Sequence, residues 1–249
     1  MFTNDHNRPP GMAHRNLVIL TGSGISAESG VPTFRAADGL WEGHRVEDVA
    51  TPQAFARDPA LVQDFYNQRR RHLAAVRPNA AHRALADLAA RWDGGFLLVT
   101  QNVDDLHDRA HAETPPASGF RLIHMHGELL KAQCTATGQV CDWPGDLAAD
   151  QTSPFHPQGR LRPHIVWFGE MPLGMDRIER ALAACDLFVS IGTSGAVYPA
   201  AGFVQLANLA GARTVELNLE PSLGSRFFDE TRHGPATEVA PAFVRELLA

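Results

Sequence analysis

The stretch LTGSGISAESGVPTFR sets Gly22, Gly24 and Ala27 at the spacing G-x-G-x-x-[G/A], directly after the apolar residues 17–20. Small residues at that spacing let backbone N–H groups and a first helical turn approach a pyrophosphate. The same spacing also serves a tight strand-to-helix turn that holds no ligand. Gly30 and Pro32 follow at once, so the turn breaks early into a polar loop carrying Thr33, Phe34 and Arg35. Four more polar clusters stand directly after apolar runs: Gln101-Asn102-Val103-Asp104-Asp105, His126-Gly127-Glu128, Gly192-Thr193-Ser194 and Asn218-Leu219-Glu220. An amide with a carboxylate can satisfy the donor and acceptor of a carboxamide. An imidazole, with an ordinary pKa of ~6.5, suits proton transfer near neutral pH. The chain holds twelve histidines, and most must serve packing or solvent.

These clusters need elements to bring them together. The runs NLVIL, FLLVT, RLIHM, LFVSI and TVELN read as strands buried on both faces. Between them lie amphipathic helical stripes. One runs through Ala81, Ala84, Leu85, Leu88, Ala89 and Trp92, with Asn79 as its cap. Ile178, Ala181, Leu182 and Cys185 form a second, and Phe203, Leu206, Ala207 and Ala210 a third, ended by Gly211. Alternating strands and helices predict an α/β fold, a Rossmann-like doubly wound parallel sheet. Its ligands bind beyond the carboxyl ends of the strands, where all five polar clusters fall. Residues 43–75, polar and helical, and residues 128–163, rich in Gly and Pro, interrupt the rhythm. They are expected to form a small second domain from two insertions, set against a main domain of residues 14–42, 76–127 and 164–249.

The bulk composition is that of a globular chain: 249 residues, 44% apolar, 20% charged. A net charge of −6 argues against nucleic acid as partner. The N-terminal residues lack the apolar core of a signal peptide, and no apolar run is long enough to span a membrane. A cytoplasmic address is expected. Three cysteines give no disulfide framework. No heptad pattern is present, and a monomer is expected.

GSGISAESGVPTFR, TQNVDDLH, HMHGE, VWFGE, IGTS and LNLE occur in the order found in sirtuins, the NAD-dependent protein-lysine deacylases. The chain resembles that family from about residue 17 onward, and most of all its bacterial class III members. The resemblance implies a Rossmann-type domain with a small inserted domain, with NAD and acyl-lysine proteins or peptides meeting between them. It places Gly22, Ser23 and Gly24 at the pyrophosphate. The segment from Ala27 and Glu28 through Thr33, Phe34 and Arg35 becomes a loop over the nicotinamide half of NAD, with Trp41 beyond it. Phe34 would exclude water from the reacting carbon. Gln101, Asn102 and Asp104 would contact nicotinamide and ribose, with Asn102 counted among the catalytic residues. His126 would be the general base, while His124 is a packing residue. Gly192, Thr193, Ser194, Asn218, Leu219 and Glu220 would hold the adenosine half, with Ala236 beside the adenine. Val166, Trp167, Phe168, Gly169 and Glu170 would form the substrate edge and lysine tunnel. The products implied are free lysine, nicotinamide and O-acyl-ADP-ribose. Protein ADP-ribosylation, NAD hydrolysis and a non-enzymatic NAD-sensing module are the competing readings.

Two departures refine this. Structural zinc in the family sits on two Cys-x-x-Cys pairs, but here Cys134 and Cys141 have six residues between them, and there is no second pair. Four such donors are the rule for structural zinc. No metal is expected, and packing by Trp143, Phe155 and prolines must hold the module. Tyr66 and Arg69, at i and i+3 of a predicted helix, share a face. They match the Tyr-x-x-Arg pair that in class III relatives recognises the carboxylate of succinyl- or malonyl-lysine, and Ala36 or Ala37 would leave room for the larger acyl group. A solvated basic face, continued by Arg70 and Arg71, is the competing reading. Desuccinylation, with deacetylation retained, is the expected activity.

Overall fold

The computed structural model describes residues 16–33, 40–41 and 43–249. In chain order its strands are β1 (Asn16–Thr21), β2 (Leu40–Trp41), β3 (His44–Arg45), β4 (Gly95–Thr100), β5 (Phe120–His124) and β6 (Gly127–Cys134). These are followed by β7 (Val140–Asp142), β8 (Leu161–Ile165), β9 (Leu187–Ile191), β10 (Arg213–Asn218) and β11 (Glu230–His233). Six of them form one parallel sheet in the order β11-β10-β9-β1-β4-β5.

The period of two along β1 explains the layers. Leu17 and Ile19 pack under the helices Ala80–Arg91 and Ala236–Leu247, while Val18 and Leu20 pack under Met175–Leu182 and Phe203–Leu209. A strand apolar on both faces therefore carries helices on both faces, giving the doubly wound sheet. Asn79 caps Ala80–Arg91 through Oδ1, which accepts from the N–H groups of Ala81 at 2.9 Å and His82 at 3.4 Å. The apolar runs do not predict β11, whose residues are Glu230, Thr231, Arg232 and His233. It lies at the sheet edge and pairs on one side only, so backbone hydrogen bonds to β10 can hold it without a continuous apolar sequence.

From β1 the chain builds outward through β4 and β5, then returns to the other side of β1 to lay down β9, β10 and β11. The reversal falls between β1 and β9, the place where open α/β sheets leave a crevice.

A second sheet, β7-β6-β8, is antiparallel. The helix Pro59–Ala75 lies against it, burying Val62, Phe65, Tyr66 and Leu73 among Leu129, Ile165 and Trp167. Polar bridges reinforce the contact. Gln63 Nε2 donates to the Leu161 carbonyl, and Asn67 exchanges two hydrogen bonds with the Leu147 backbone. Arg70 is buried, donating to the Leu129 carbonyl at 2.8 Å and to Asn67 Oδ1 at 2.8 Å. The solvated basic face is thus corrected at Arg70, which is interior, and holds for exposed Arg71, which pairs with Asp146. Cys134 is buried with Ala132, Leu147 and Leu161, and Cys141, Trp143 and Phe155 pack against them. Both cysteines are free thiols, and among the described residues no group of three or more His, Cys, Asp or Glu could hold a metal. The donor set does not fit structural zinc.

Candidate active site

The turn after β1 is zipped to the end of β9. The Gly22 N–H donates to the Ile191 carbonyl at 3.0 Å and the Gly24 N–H to the Gly192 carbonyl at 2.9 Å. A Cβ on Gly22 would lie 2.7 Å from the Gly192 oxygen, and one on Gly24 would lie 2.7 Å from Gly192 Cα. The glycines therefore allow two strand ends to meet. Their own N–H groups serve the protein backbone at this junction. The helix that follows, Gly24–Ala27, is only four residues long, so the early break read from Gly30 and Pro32 is real.

A cavity of about 890 Å³ lies beyond the carboxyl ends of β1, β4, β5 and β9. On the sheet side Gly22, Ser23, Gln101, Asn102, Asp104 and His126 line it, together with Gly192, Thr193 and Ser194. On the other side are Arg69 and all five residues 166–170. Four of the five expected strand-end clusters contribute to one wall only through this folding, since Ser23 and Ser194 stand far apart in sequence.

His126 Nδ1 lies 3.1 Å from the Gln101 carbonyl. A carbonyl can only accept, so Nδ1 carries the proton and Nε2 keeps its lone pair. Burial pushes the His126 pKa below its ordinary value, partly offset by that carbonyl. The ring is thus held neutral, with Nε2 open to accept a proton. Asn102 and Asp104 are buried and converge on Ser26, whose hydroxyl accepts from Asn102 Nδ2 at 3.1 Å and donates to Asp104 Oδ2 at 3.0 Å. Burial raises the Asp104 pKa, opposed by bonds from the Leu106 N–H and the Ser26 hydroxyl. Asp105 turns away to pair with Arg109, which ties the loop to the Leu73 and Val76 carbonyls. His124 lies 3.0 Å from Asp108. Burial alone would lower its pKa, but Asp108 outweighs that and the net shift is upward.

Several expected residues stand outside the cavity wall. Glu28 caps the last helix: its carboxylate accepts from the Thr237 N–H at 3.0 Å and the Thr237 hydroxyl at 2.7 Å. Ala27 is exposed, Thr33 is half-buried, and Ala236 packs on the main core beside Val239. Asn218 acts behind the wall, donating to the Thr193 carbonyl at 2.8 Å, while Leu219 and Glu220 are exposed. Tyr66 is fully buried, its oxygen accepting from Trp167 Nε1 at 2.9 Å. Arg69 reaches the wall, with its guanidinium 3.2 Å from the Phe65 ring centroid and Nη1 donating to the Phe65 carbonyl. Phe34 and Arg35, with Ala36 and Ala37, lie outside the described residues, and Trp41 falls in β2.

Other residues were not singled out by sequence. Ser26 lies within the quoted glycine motif, but only the folded chain brings Asn102 and Asp104 to it. His72 lines the cavity and lies 2.9 Å from the Gly30 carbonyl; being three residues after Arg69, it could have been found from helical spacing. Tyr198, exposed at the rim, carried no sequence signal.

The Sir2 family profile matches residues 22–199. The chain is 57% identical over 251 residues to an NAD-dependent protein deacylase of Escherichia coli (strain K12), covering 100% of this chain and 88% of the relative. It is 59% identical over 241 residues to one of Yersinia pestis, covering 93% and 82%. Among solved structures it is similar to a Sir2 homologue in complex with NAD, with a TM-score of 0.82 and 37% identity over 93% of this chain and 88% of that one.

Proposed function

This chain belongs to the Sir2 family, and from that premise we propose that it is an NAD-dependent protein deacylase acting on acyl-lysine, with succinyl- and malonyl-lysine preferred and acetyl-lysine also accepted. The observation that carries the reading is that one cavity is walled by the strand-end turn at Gly22, the loop 101–105, His126 and residues 166–170, with Arg69 facing it. NAD, when bound, supplies a ribosyl carbon that releases nicotinamide and takes the acyl oxygen.

The chain's own residues divide the remaining work. Asn102 and Asp104, locked by Ser26, offer an amide and a carboxylate of fixed orientation. Fixed polar groups in a partly dry site need little reorganisation as charge develops. His126 Nε2, with its lone pair free of the Gln101 bond, accepts the proton from a ribose hydroxyl. Residues 166–170 form the side along which an acyl-lysine peptide lies. Arg69 brings a guanidinium that can bind a terminal acyl carboxylate through two charge-assisted hydrogen bonds.

The test is mass spectrometry of one peptide in succinyl-lysine and acetyl-lysine forms, incubated with the protein with and without NAD. NAD-dependent loss of both groups, faster for succinyl, is the expected result, with Arg69→Met reducing succinyl removal far more than acetyl removal. Faster acetyl removal would reduce the Arg69 reading to a helix face. Nicotinamide release with both peptides unchanged would point instead to ADP-ribosylation or NAD hydrolysis.

A further inference from the structure

The chain holds twenty-one arginines and a single lysine, Lys131. A lysine amine that has shed its proton is a nucleophile, whereas a guanidinium stays charged and is not. A chain read as removing acyl groups from lysine therefore presents one lysine side chain of its own to them.

Lys131 lies in β6, the central strand of β7-β6-β8. Residues three apart in a regular strand point to opposite faces. The pairing of β6 with β8 shifts register between Gly127 and Ala132, and an irregularity of this kind re-aims side chains. The Lys131 ammonium reaches the Glu128 carboxylate, with Nζ 3.0 Å from Oε1 and 2.9 Å from Oε2. Its side chain is 35% exposed, so a reagent in solution can approach the nitrogen once Glu128 releases it.

The main chain around Lys131 is committed. Lys131 pairs with Asp142 on β7. The Leu129 N–H donates to the Val103 carbonyl at 2.8 Å, the Leu130 carbonyl accepts from the Trp143 N–H at 2.7 Å, and the Cys134 N–H donates to the Gln139 carbonyl at 2.8 Å. Leu129 lines the cavity, while Lys131 lies outside its wall. An acyl-lysine peptide that adds along residues 166–170 needs a free, extended backbone. The folded β6 has none to give, either to its own cavity or to that of a second copy.

We propose that Lys131 is the acyl-acceptor side chain of this chain: shielded by Glu128, it takes an acyl group from acyl thioesters, and the chain's own active site cannot remove it. In the transfer the ammonium first gives a proton to solvent. The nitrogen then bonds to the thioester carbonyl carbon, the carbon–sulfur bond breaks, and the thiolate leaves and takes up a proton. The product is a neutral amide, and Glu128 loses its cation. The persistence of the mark rests on the deacylase reading.

The test incubates the full chain with succinyl-CoA, then adds NAD, and follows Lys131 by mass spectrometry of tryptic fragments. Trypsin cuts after Lys131 only while the amine is unmodified. An adduct should form at Lys131, and Glu128→Gln should speed it about two- to fivefold, the worth of an exposed ion pair. After NAD is added the adduct should persist on the folded chain. A synthetic peptide of residues 126–136 carrying succinyl at Lys131 should lose the group in the same mixture. No adduct at Lys131 in either protein, an equal rate in Glu128→Gln, or NAD-dependent loss from the folded chain would overturn the inference. The succinyl-lysine peptide of the deacylase test, run alongside, separates the two ideas. If it is cleared while the 126–136 peptide is not, sequence rather than fold protects Lys131 and the inference fails alone. If neither peptide is cleared, the deacylase reading fails and takes this inference with it.

Discussion

The Ser26 hydroxyl donates to the Asp104 carboxylate at 3.0 Å, across a sequence separation of 78 residues. The same oxygen accepts from Asn102 and lies 3.3 Å from His82 Nε2. One hydroxyl thus locks two side chains of the cavity wall. Ser26→Ala leaves a buried amide and a buried carboxylate each one partner short, at a cost of about 1–3 kcal/mol. We expect a lower Tm and a fall in kcat/KM of tenfold or more, measured by thermal melting and by acyl-peptide turnover. Unchanged turnover in a folded variant would remove Ser26 from the machinery.

The His126 base must be neutral to accept a proton. Because burial sets its pKa below the ordinary ~6.5, it stays neutral further into the acid range. A pH profile of kcat/KM should hold flat at neutral pH and fall on the acid side with a midpoint below 6.5. A midpoint at or above 7 would exclude His126, in this environment, as the group responsible. Turnover should be lost in His126→Ala.

His82 and His107 are buried side by side, ring centroids 4.9 Å apart. Burial lowers the His82 pKa to about 3 and the His107 pKa well below its ordinary value. Below pH ~6.5 the unfolded chain takes up protons at these sites while the folded chain does not, so stability falls as pH falls. Each contributes at most ~1.4 kcal/mol per pH unit, and for His82 the loss continues toward pH 3. His124, with its raised pKa, works in the opposite sense and offsets part of this. Urea unfolding at pH 7 and pH 5.5 should show a lower midpoint at the acid pH, with the difference reduced in His82→Gln. An equal difference in the variant would exclude His82 as a source.

Glu28 joins the segment after β1 to the start of the last helix through Thr237. A carboxylate at a helix N-terminus satisfies donors that the helix itself cannot. Glu28→Ala should lower Tm by about 2–4 °C and raise KM for NAD more than it lowers kcat. If Tm is unmoved in a melting experiment, the link carries no stability.

The apolar runs of β1, β4 and β9 were legible because a strand buried on both faces is apolar nearly throughout, and β5 and β10 because enough apolar residues remain around the exposed Arg121 and the buried Glu216. Asn79 was legible because cap chemistry is local. The polar clusters were legible as strand-end groups for the same reason, and the order of the motifs pointed to the sirtuin family. The edge strand β11 was not legible, since backbone pairing on one side asks nothing of its side chains. Nor were the strands β6, β7 and β8, which lack a continuous apolar run because residues along β6 and β8 alternate between buried and half-buried. Sequence determined which residues carry amide, carboxylate, imidazole and guanidinium groups, because side-chain chemistry is set by type. Only the tertiary structure decided how those groups are committed. Gly22 and Gly24 donate their N–H groups to Ile191 at the end of β9 and to Gly192 just beyond it, Glu28 caps a distant helix, Ser26 locks Asn102 to Asp104, and Tyr66 accepts from Trp167. A hydrogen bond reaches about 3 Å in space and is indifferent to separation along the chain, so these commitments exist only once the strand ends have met.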